Sequence, residues 1–439
     1  MADIPDDPTT ARSAERFRDR TLNLLPAELL STVYRRRGSV AGIGRFVCLL
    51  GADANRFILA NTELFSWREA FRAFIPVSGD TALILSDGSA HRRMRRLVQP
   101  SFHLAQVQRH MSIVAENADA VIDGWRPGQR IDVDQAFRSA IRRSTIHSLF
   151  GRQMGMETEF FTEQLRDPLD LVRSGVAPVV TWNRRLSTPR WRRSMAALSK
   201  VDERIYAEIS RVRCGADVGD NLLASLAHAV DESGVPLSDK EIRDQVVNLI
   251  SADETTHPLI PWAIYGMLTA PGAWDRAASE VREILGDRWP EADDLKRLTY
   301  LNGVVHETLR LYPPSAIMLR YVVKDFEFAG RHVRRGSTVW FSPYITHRMP
   351  ELWPEPLAFR PQRWDPTDPS YRKHRNNEYL PFVSGPHRCV GAELAVTELT
   401  VILARLLARS SLHLPEQRIR PGNIPVMGPV HGLHVDVLD

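Results

Sequence analysis

Cysteine is scarce, with three residues in 439. So sparse and odd a set gives no disulfide framework, and a reduced, cytoplasmic protein is expected. Long apolar runs are missing too. No stretch of about 18 apolar residues occurs, so nothing should span a bilayer, and the polar start Met1–Arg20 has no signal-peptide core. Charge of one sign is also lacking: 57 basic against 53 acidic residues leave a formal +4, not the one-sided footprint of a nucleic-acid binder. The basic clusters at Arg35–Arg37, Arg92–Arg96 and Arg184–Arg193 read as solvated faces. No internal repeat, low-complexity tract or Gly/Ser linker divides the chain. One domain over 1–439 is expected, with 1–30 an irregular N-terminal segment.

With 43% hydrophobic residues, the chain can bury a core large enough to enclose a cofactor. Apolar residues at three- and four-residue spacing predict helices at Leu104–Trp125, Val133–Phe150, Met195–Val212, Asp239–Leu268, Trp274–Leu285, Tyr300–Leu311 and Gly391–Leu407. Phe326–Phe328 and His332–Val333, bracketed by Gly330 and Gly336, predict a small hairpin; Thr338–Phe341 and Leu433–Val437 predict two further strands. The fold class is therefore mainly α with small β-sheets. From Pro343 to Pro386 prolines and aromatics replace periodicity, which reads as a long ordered loop of the kind that serves a function. It runs straight into Cys389.

The segment Pro381-Phe-Val-Ser-Gly-Pro-His-Arg-Cys-Val-Gly391 puts a cysteine at the mouth of a helix that starts near Ala392. Gly385 and Pro386 permit a tight turn. The helix N-terminus, Arg388 and His387 would each favour thiolate, the form that binds iron or acts as a nucleophile. Cys48 and Cys214 lack such a setting and read as small buried hydrophobes. Phe382-x-x-Gly385-x-His387-x-Cys389-x-Gly391 resembles the haem-binding signature of the cytochrome P450 family. The resemblance implies a triangular, prism-like single-domain fold, with haem b between a long central helix and the cysteine-bearing loop and helix. It makes Cys389 the thiolate ligand of the iron, sets Phe382 beside the haem and gives His387 a propionate to bind. Without a Cys-x-x-Cys-His segment the haem would be held non-covalently.

Supporting motifs follow in the family's order. Glu307-Thr-Leu-Arg310 places an acid and a base on one helical face. Its sequels, Leu311-Tyr-Pro-Pro314 and Phe359-Arg-Pro-Gln-Arg363-Trp364, resemble family elements, which implies a buried structural triad of Glu307, Arg310 and Arg363 holding the cysteine loop. The same spacing at Glu69/Arg72 and Glu208/Arg211 reads as surface pairing. His91 and Arg95 lie one helical turn apart and can reach one anionic group. By resemblance they and Arg320 would bind the haem propionates; the alternative for their helix is a solvated basic face.

Ser251-Ala-Asp-Glu-Thr-Thr256 resembles the family's segment that crosses above the haem iron. Glu254 and Thr255, an adjacent acid and alcohol, can relay protons to the oxygen chemistry there. Two features depart from the family pattern. Ser251-Ala252 stands where Ala-Gly is common, and Pro258 and Pro261 follow at once. Pro258 cannot donate to the carbonyl of Glu254, nor Pro261 to that of His257, so the helix should kink or open just beyond the acid–alcohol pair. The break either reshapes the distal pocket or only accommodates a bulky neighbour, and His257 reads as a packing residue.

The distal pocket would be roofed by Ser66–Leu85 (with Trp67, Phe71 and Phe74), Pro168–Trp191 and Ser315–Leu319, mostly apolar stretches suited to a small molecule. Arg173, Arg184 and Arg185 read as surface residues in preference to anchors for an anionic substrate. The resemblance implies a soluble, bacterial-type monooxygenase of specialised metabolism. Its electrons would come from a ferredoxin and a ferredoxin reductase, the ferredoxin docking where Arg92, Arg93, Arg96 and Arg388 gather positive charge. Three alternatives stay open: a peroxide-driven hydroxylase or decarboxylase, which would need no proton relay; an oxidative coupling enzyme; and, outside catalysis, a haem-based binding or sensor protein.

Overall fold

The structure, a computed structural model, describes residues 32, 34–36, 38–102, 104–173, 177–215, 221–422 and 426–438; the segment 1–30 lies outside them. Six helices position the site: α1 (Gly88–Val98), α2 (Val133–Phe150), α3 (Asp239–Ala252), α4 (Leu259–Thr269), α5 (Thr299–Leu311) and α6 (Ala392–Arg409).

Each begins and ends for a local reason. Asp132 caps α2 by accepting from the Asp134 N–H, and Gly151 closes it at φ 88°. Ser238 and Glu241 form a reciprocal capping box at the start of α3. On α6 the whole run Glu398–Leu407 is buried, as befits a helix surrounded by others. Gly303 on α5 would place a Cβ 2.6 Å from the Pro361 carbonyl oxygen, so only glycine lets the helix meet the turn Pro361–Trp364 this closely.

A large apolar core joins α2, α4, α5 and α6 with helix Leu104–Ile122, and within it Trp262 stacks on Tyr312 at 4.0 Å. A second core gathers around α3 and helices Thr158–Arg173 and Pro189–Arg213. Beside them lies a five-stranded sheet ordered Val40–Ile43, Phe46–Leu49, Thr338–Phe341, Met318–Val322, Phe65–Ser66. The expected hairpin is present as Phe326–Phe328 paired with Arg331–Val333, and the last strand runs His434–Val437.

The architecture is mainly helical with small sheets, as expected, with three local differences. The predicted helix Asp239–Leu268 is two helices, α3 and α4, separated by a 3-10 turn at Asp253–Thr255. Helix Pro189–Arg213 starts earlier than periodicity suggested, because Thr188 caps it by accepting from the Trp191 N–H. Glu208 is buried, so the Glu208–Arg211 pair is not a surface pair, whereas Glu69–Arg72 is. Among the described residues no helix is long and apolar enough to cross a membrane.

Candidate functional site

Cys389 follows the short turn Gly385–His387 and immediately precedes α6. Its N–H donates to the Phe382 carbonyl at 3.0 Å, while Phe382 packs its ring against the large core. The turn needs Gly385 at φ 74° and also holds Val383 at φ 58°, a strained conformation for a β-branched residue. Cys389 keeps an exposed surface, yet protein surrounds it closely enough that burial pushes its thiol up. The Gly391 N–H, Arg388 and Arg95 pull the other way without prevailing. His387 gives no help: burial, then His91 and Arg320, push it down to about 3, so it is neutral at pH 7. The structure thus adds an opposing desolvation to the local positive charge read from the sequence. Cys214 is exposed and Cys48 half-buried, so neither is the fully buried hydrophobe expected.

Beside the cysteine loop lies a group of donors with one nearby carboxylate, Asp87, which accepts from the Trp67 backbone N–H. His91 packs on His387 with ring centres 3.9 Å apart, and His387 stacks on Trp67 at 4.6 Å. Arg320, buried on its strand, lies 3.7 Å from the face of the same Trp67. Burial drags it down to about 9 against the pull of Asp87. It donates to the Leu319 carbonyl at 2.7 Å and forms no ion pair with a carboxylate of the described residues. The Trp67 Nε1–H is buried without a partner. Arg95 sits at the other end, donating to the Arg388 carbonyl at 2.6 Å. A buried cation and an indole N–H without a partner among the described residues need an acceptor, and the two carboxylates of a haem would fit this donor set.

The triad forms as read from the sequence. Glu307 accepts from Arg310 Nε and Nη2 (both 2.8 Å), Arg363 Nε (3.0 Å), the Arg360 N–H (2.9 Å) and Trp364 Nε1 (3.0 Å). Arg310 also donates to the carbonyls of His347, Pro356 and Ala358, and Arg363 to those of Pro354 and Glu355. One buried charge cluster thereby ties down a loop with almost no regular structure.

The acid–alcohol pair lies inside the helix break. Thr255 donates through Oγ1 to the Ala252 carbonyl at 2.7 Å, and Ala252 is exposed. Glu254 instead meets Arg142 of α2, whose Nη2 donates to Oε1 at 2.7 Å; the Nε of the same arginine lies 2.6 Å from Asp253. His257 is not mere packing: its Nδ1 lies 3.1 Å from Asp134 and its Nε2 3.5 Å from Glu254. The break starts before the pair, at Asp253, and not just beyond it as expected.

Trp67 was expected over the substrate and instead belongs to the donor cluster. The signal missed was a strand pairing, Ser66 with Tyr321, between segments far apart in sequence. Arg142 was missed although it is a cation on the otherwise apolar face of α2. Arg184 and Arg185 are exposed, as expected; the Arg173 side chain lies outside the described ones. On the face proposed for ferredoxin, Arg93 pairs with Asp231 and Glu241, Arg96 with Glu232 and Arg388 with Glu393. These pairs leave less free positive charge than the sequence suggested.

The family model "Cytochrome P450" matches residues 42–431. A Mycobacterium tuberculosis protein bearing a cytochrome P450 name (number 139) is 50% identical over 418 residues, covering 93% of this chain and 97% of its own. The cyclooctat-9-en-7-ol 5-monooxygenase of Streptomyces melanosporofaciens is 32% identical over 81% of this chain and 77% of its own. Among solved structures, retinoic acid-bound cyanobacterial CYP120A1 superposes with a TM-score of 0.82 at 21% identity, covering 92% of this chain and 93% of that one. The motifs, the architecture and these likenesses agree, and the chain belongs to the cytochrome P450 family.

Proposed function

We propose that this cytochrome P450 is a monooxygenase that holds haem b on Cys389 and oxidises a small, mostly apolar molecule, of the class of unsaturated cyclic alcohols. The observation that carries the reading is the juxtaposition of the exposed Cys389 thiol with a cluster of His91, His387, Trp67 and Arg320, in which Arg320 has no carboxylate ion pair among the described residues. The substrate class rests on the name of the Streptomyces relative. When bound, the haem would supply dioxygen activation, its thiolate ligand favouring O–O cleavage.

The chain's own part is to bind, orient and deliver protons. Arg95, Arg320 and the Trp67 indole would fix the propionates, and the triad would hold the loop that presents Cys389. Thr255 and Glu254 would pass protons inward, a role general acid–base groups fill at roughly 10²–10⁴-fold in rate. A ferredoxin and its reductase would bring electrons to a cytoplasmic enzyme, with Arg92 the exposed cation of α1 that no described carboxylate pairs.

With a ferredoxin, its reductase, NADPH, isotopically heavy dioxygen and cyclooctat-9-en-7-ol as probe, one heavy oxygen atom is expected in the product. Thr255→Ala is expected to lower product formed per NADPH by about 10²-fold while leaving the probe's spectral binding shift in place. Unlabelled product, or equal turnover with hydrogen peroxide alone, would favour the peroxide-driven reading.

A further inference from the structure

The six residues between α3 and α4, Asp253–Pro258, set a histidine against the acid three positions before it and against Asp134 of α2. Pro258 has no N–H to offer the Glu254 carbonyl, and the chain turns through 3-10 bonds, Thr256 N–H to the Asp253 carbonyl and Leu259 N–H to that of Thr256. His257, only 4% exposed, then lies between two carboxylates: Asp134 at 3.1 Å from Nδ1 and Glu254 at 3.5 Å from Nε2. Side-chain exposure is 14% at Glu254, 4% at His257 and 19% at Asp134, so the buried ring joins two partly exposed carboxylates. The row thus links Asp134 of α2 to the acid beside Thr255.

We propose that His257 and Asp134 form the proton entry to Glu254, with Arg142 fixing the direction in which the acid points. This rests on the monooxygenase reading. The groups facing the ring are Asp134, Arg138 and Arg142 from α2 and Asp253 and Glu254 from the break; Glu398 of α6 acts on Asp253 from behind. Burial works against charge on the ring, but the contacts with Asp134 and Glu254 outweigh it and the imidazole is held above its ordinary value. His347 shows the opposite case: buried among Arg310, Arg348 and His374, it is pushed well below. In this relay His257 carries the proton. Nε2, buried with no hydrogen-bond partner among the described residues, has to close the 3.5 Å gap to Glu254; its N–H bond then breaks as an O–H bond forms on the acid, and the carboxylate becomes neutral. A half-turn of the now neutral ring presents the bare nitrogen to Asp134, which passes on a proton taken from water and returns to carboxylate.

Two measurements test the relay, neither needing the natural substrate. In histidine-labelled protein in its ferrous carbon-monoxide form, the signal lost in His257→Gln is expected to titrate above the ordinary histidine value of about 6.5. Asp134→Asn should lower that midpoint by about one pH unit, and Asp134→Glu should restore it. In oxygen uptake driven by a ferredoxin and its reductase, His257→Gln and Asp134→Asn should each raise the share released as hydrogen peroxide severalfold, more so as pH rises. A midpoint unmoved in Asp134→Asn, or an unchanged peroxide share in that variant, overturns the relay. Should His257→Gln fail to hold haem, the peroxide share of the partly exposed Asp134→Asn variant still decides the relay. The carbon-monoxide spectrum, which reads Cys389 alone, reports separately on the monooxygenase reading.

Discussion

Glu307→Gln is expected to cost about 3–5 kcal/mol of stability, the range for breaking a buried ion cluster by removing one partner. Arg310 is wholly buried and Arg363 nearly so, and both would lose the charge that compensates them. The loss should not stay local. Arg310 and Arg363 together hold five loop carbonyls between His347 and Ala358, on the stretch that leads to Cys389, so haem retention should fall with stability. Denaturant unfolding of haem-loaded protein measures the first and haem transfer to an apo-globin the second. The pH dependence has a definite sign. Burial opposes the Glu307 charge, but Arg310, Arg363 and the Arg360 N–H outweigh it and hold the carboxyl below its ordinary value. Its contribution is fully present above the unfolded value and is lost as pH falls through the folded one. Below that range wild type and variant should converge; equal stability at pH 7 would contradict the triad's role.

Arg320→Leu should act in opposite directions on the two forms of the protein. Without haem, Arg320 is a buried cation with no carboxylate pair among the described residues, and burial lowers it to about 9. Replacing it with an apolar side chain of similar reach removes a desolvation penalty of a few kcal/mol, on the order of 1–3, so the apo-protein should melt higher. With haem bound, the same substitution removes a charge-assisted bond to a propionate, worth roughly 1.5–3 kcal/mol, so haem should leave about 10- to 100-fold faster. Melting of the apo-protein and haem-transfer kinetics check the two halves. A variant less stable in both forms would mean that Arg320 serves packing on Trp67 and Phe341 instead.

Much of this site is local in sequence and so was legible there. The cysteine loop occupies eleven consecutive residues, and Glu307 and Arg310 share one helical turn. The proline break was also legible, because a missing N–H is a property of the residue itself. What stayed hidden depends on contacts between distant segments. Trp67 joins the donor cluster through a strand pairing with residues 321 and 322, and Glu254 finds Arg142 across 112 positions. The burial of Cys389 was hidden for the same reason: neighbours in sequence show the positive charge that favours thiolate, while the surrounding protein, assembled from remote segments, pushes the thiol up. Local charge is visible in a sequence and desolvation is not.

The most direct test of the central claim is the absorption spectrum of the reduced, carbon-monoxide-bound protein, recorded for wild type and Cys389→Ser. Ligation by the Cys389 thiolate predicts a strongly red-shifted Soret band in wild type that disappears in the variant while haem remains bound. A wild-type spectrum without that band, or a variant that keeps it, would contradict the account.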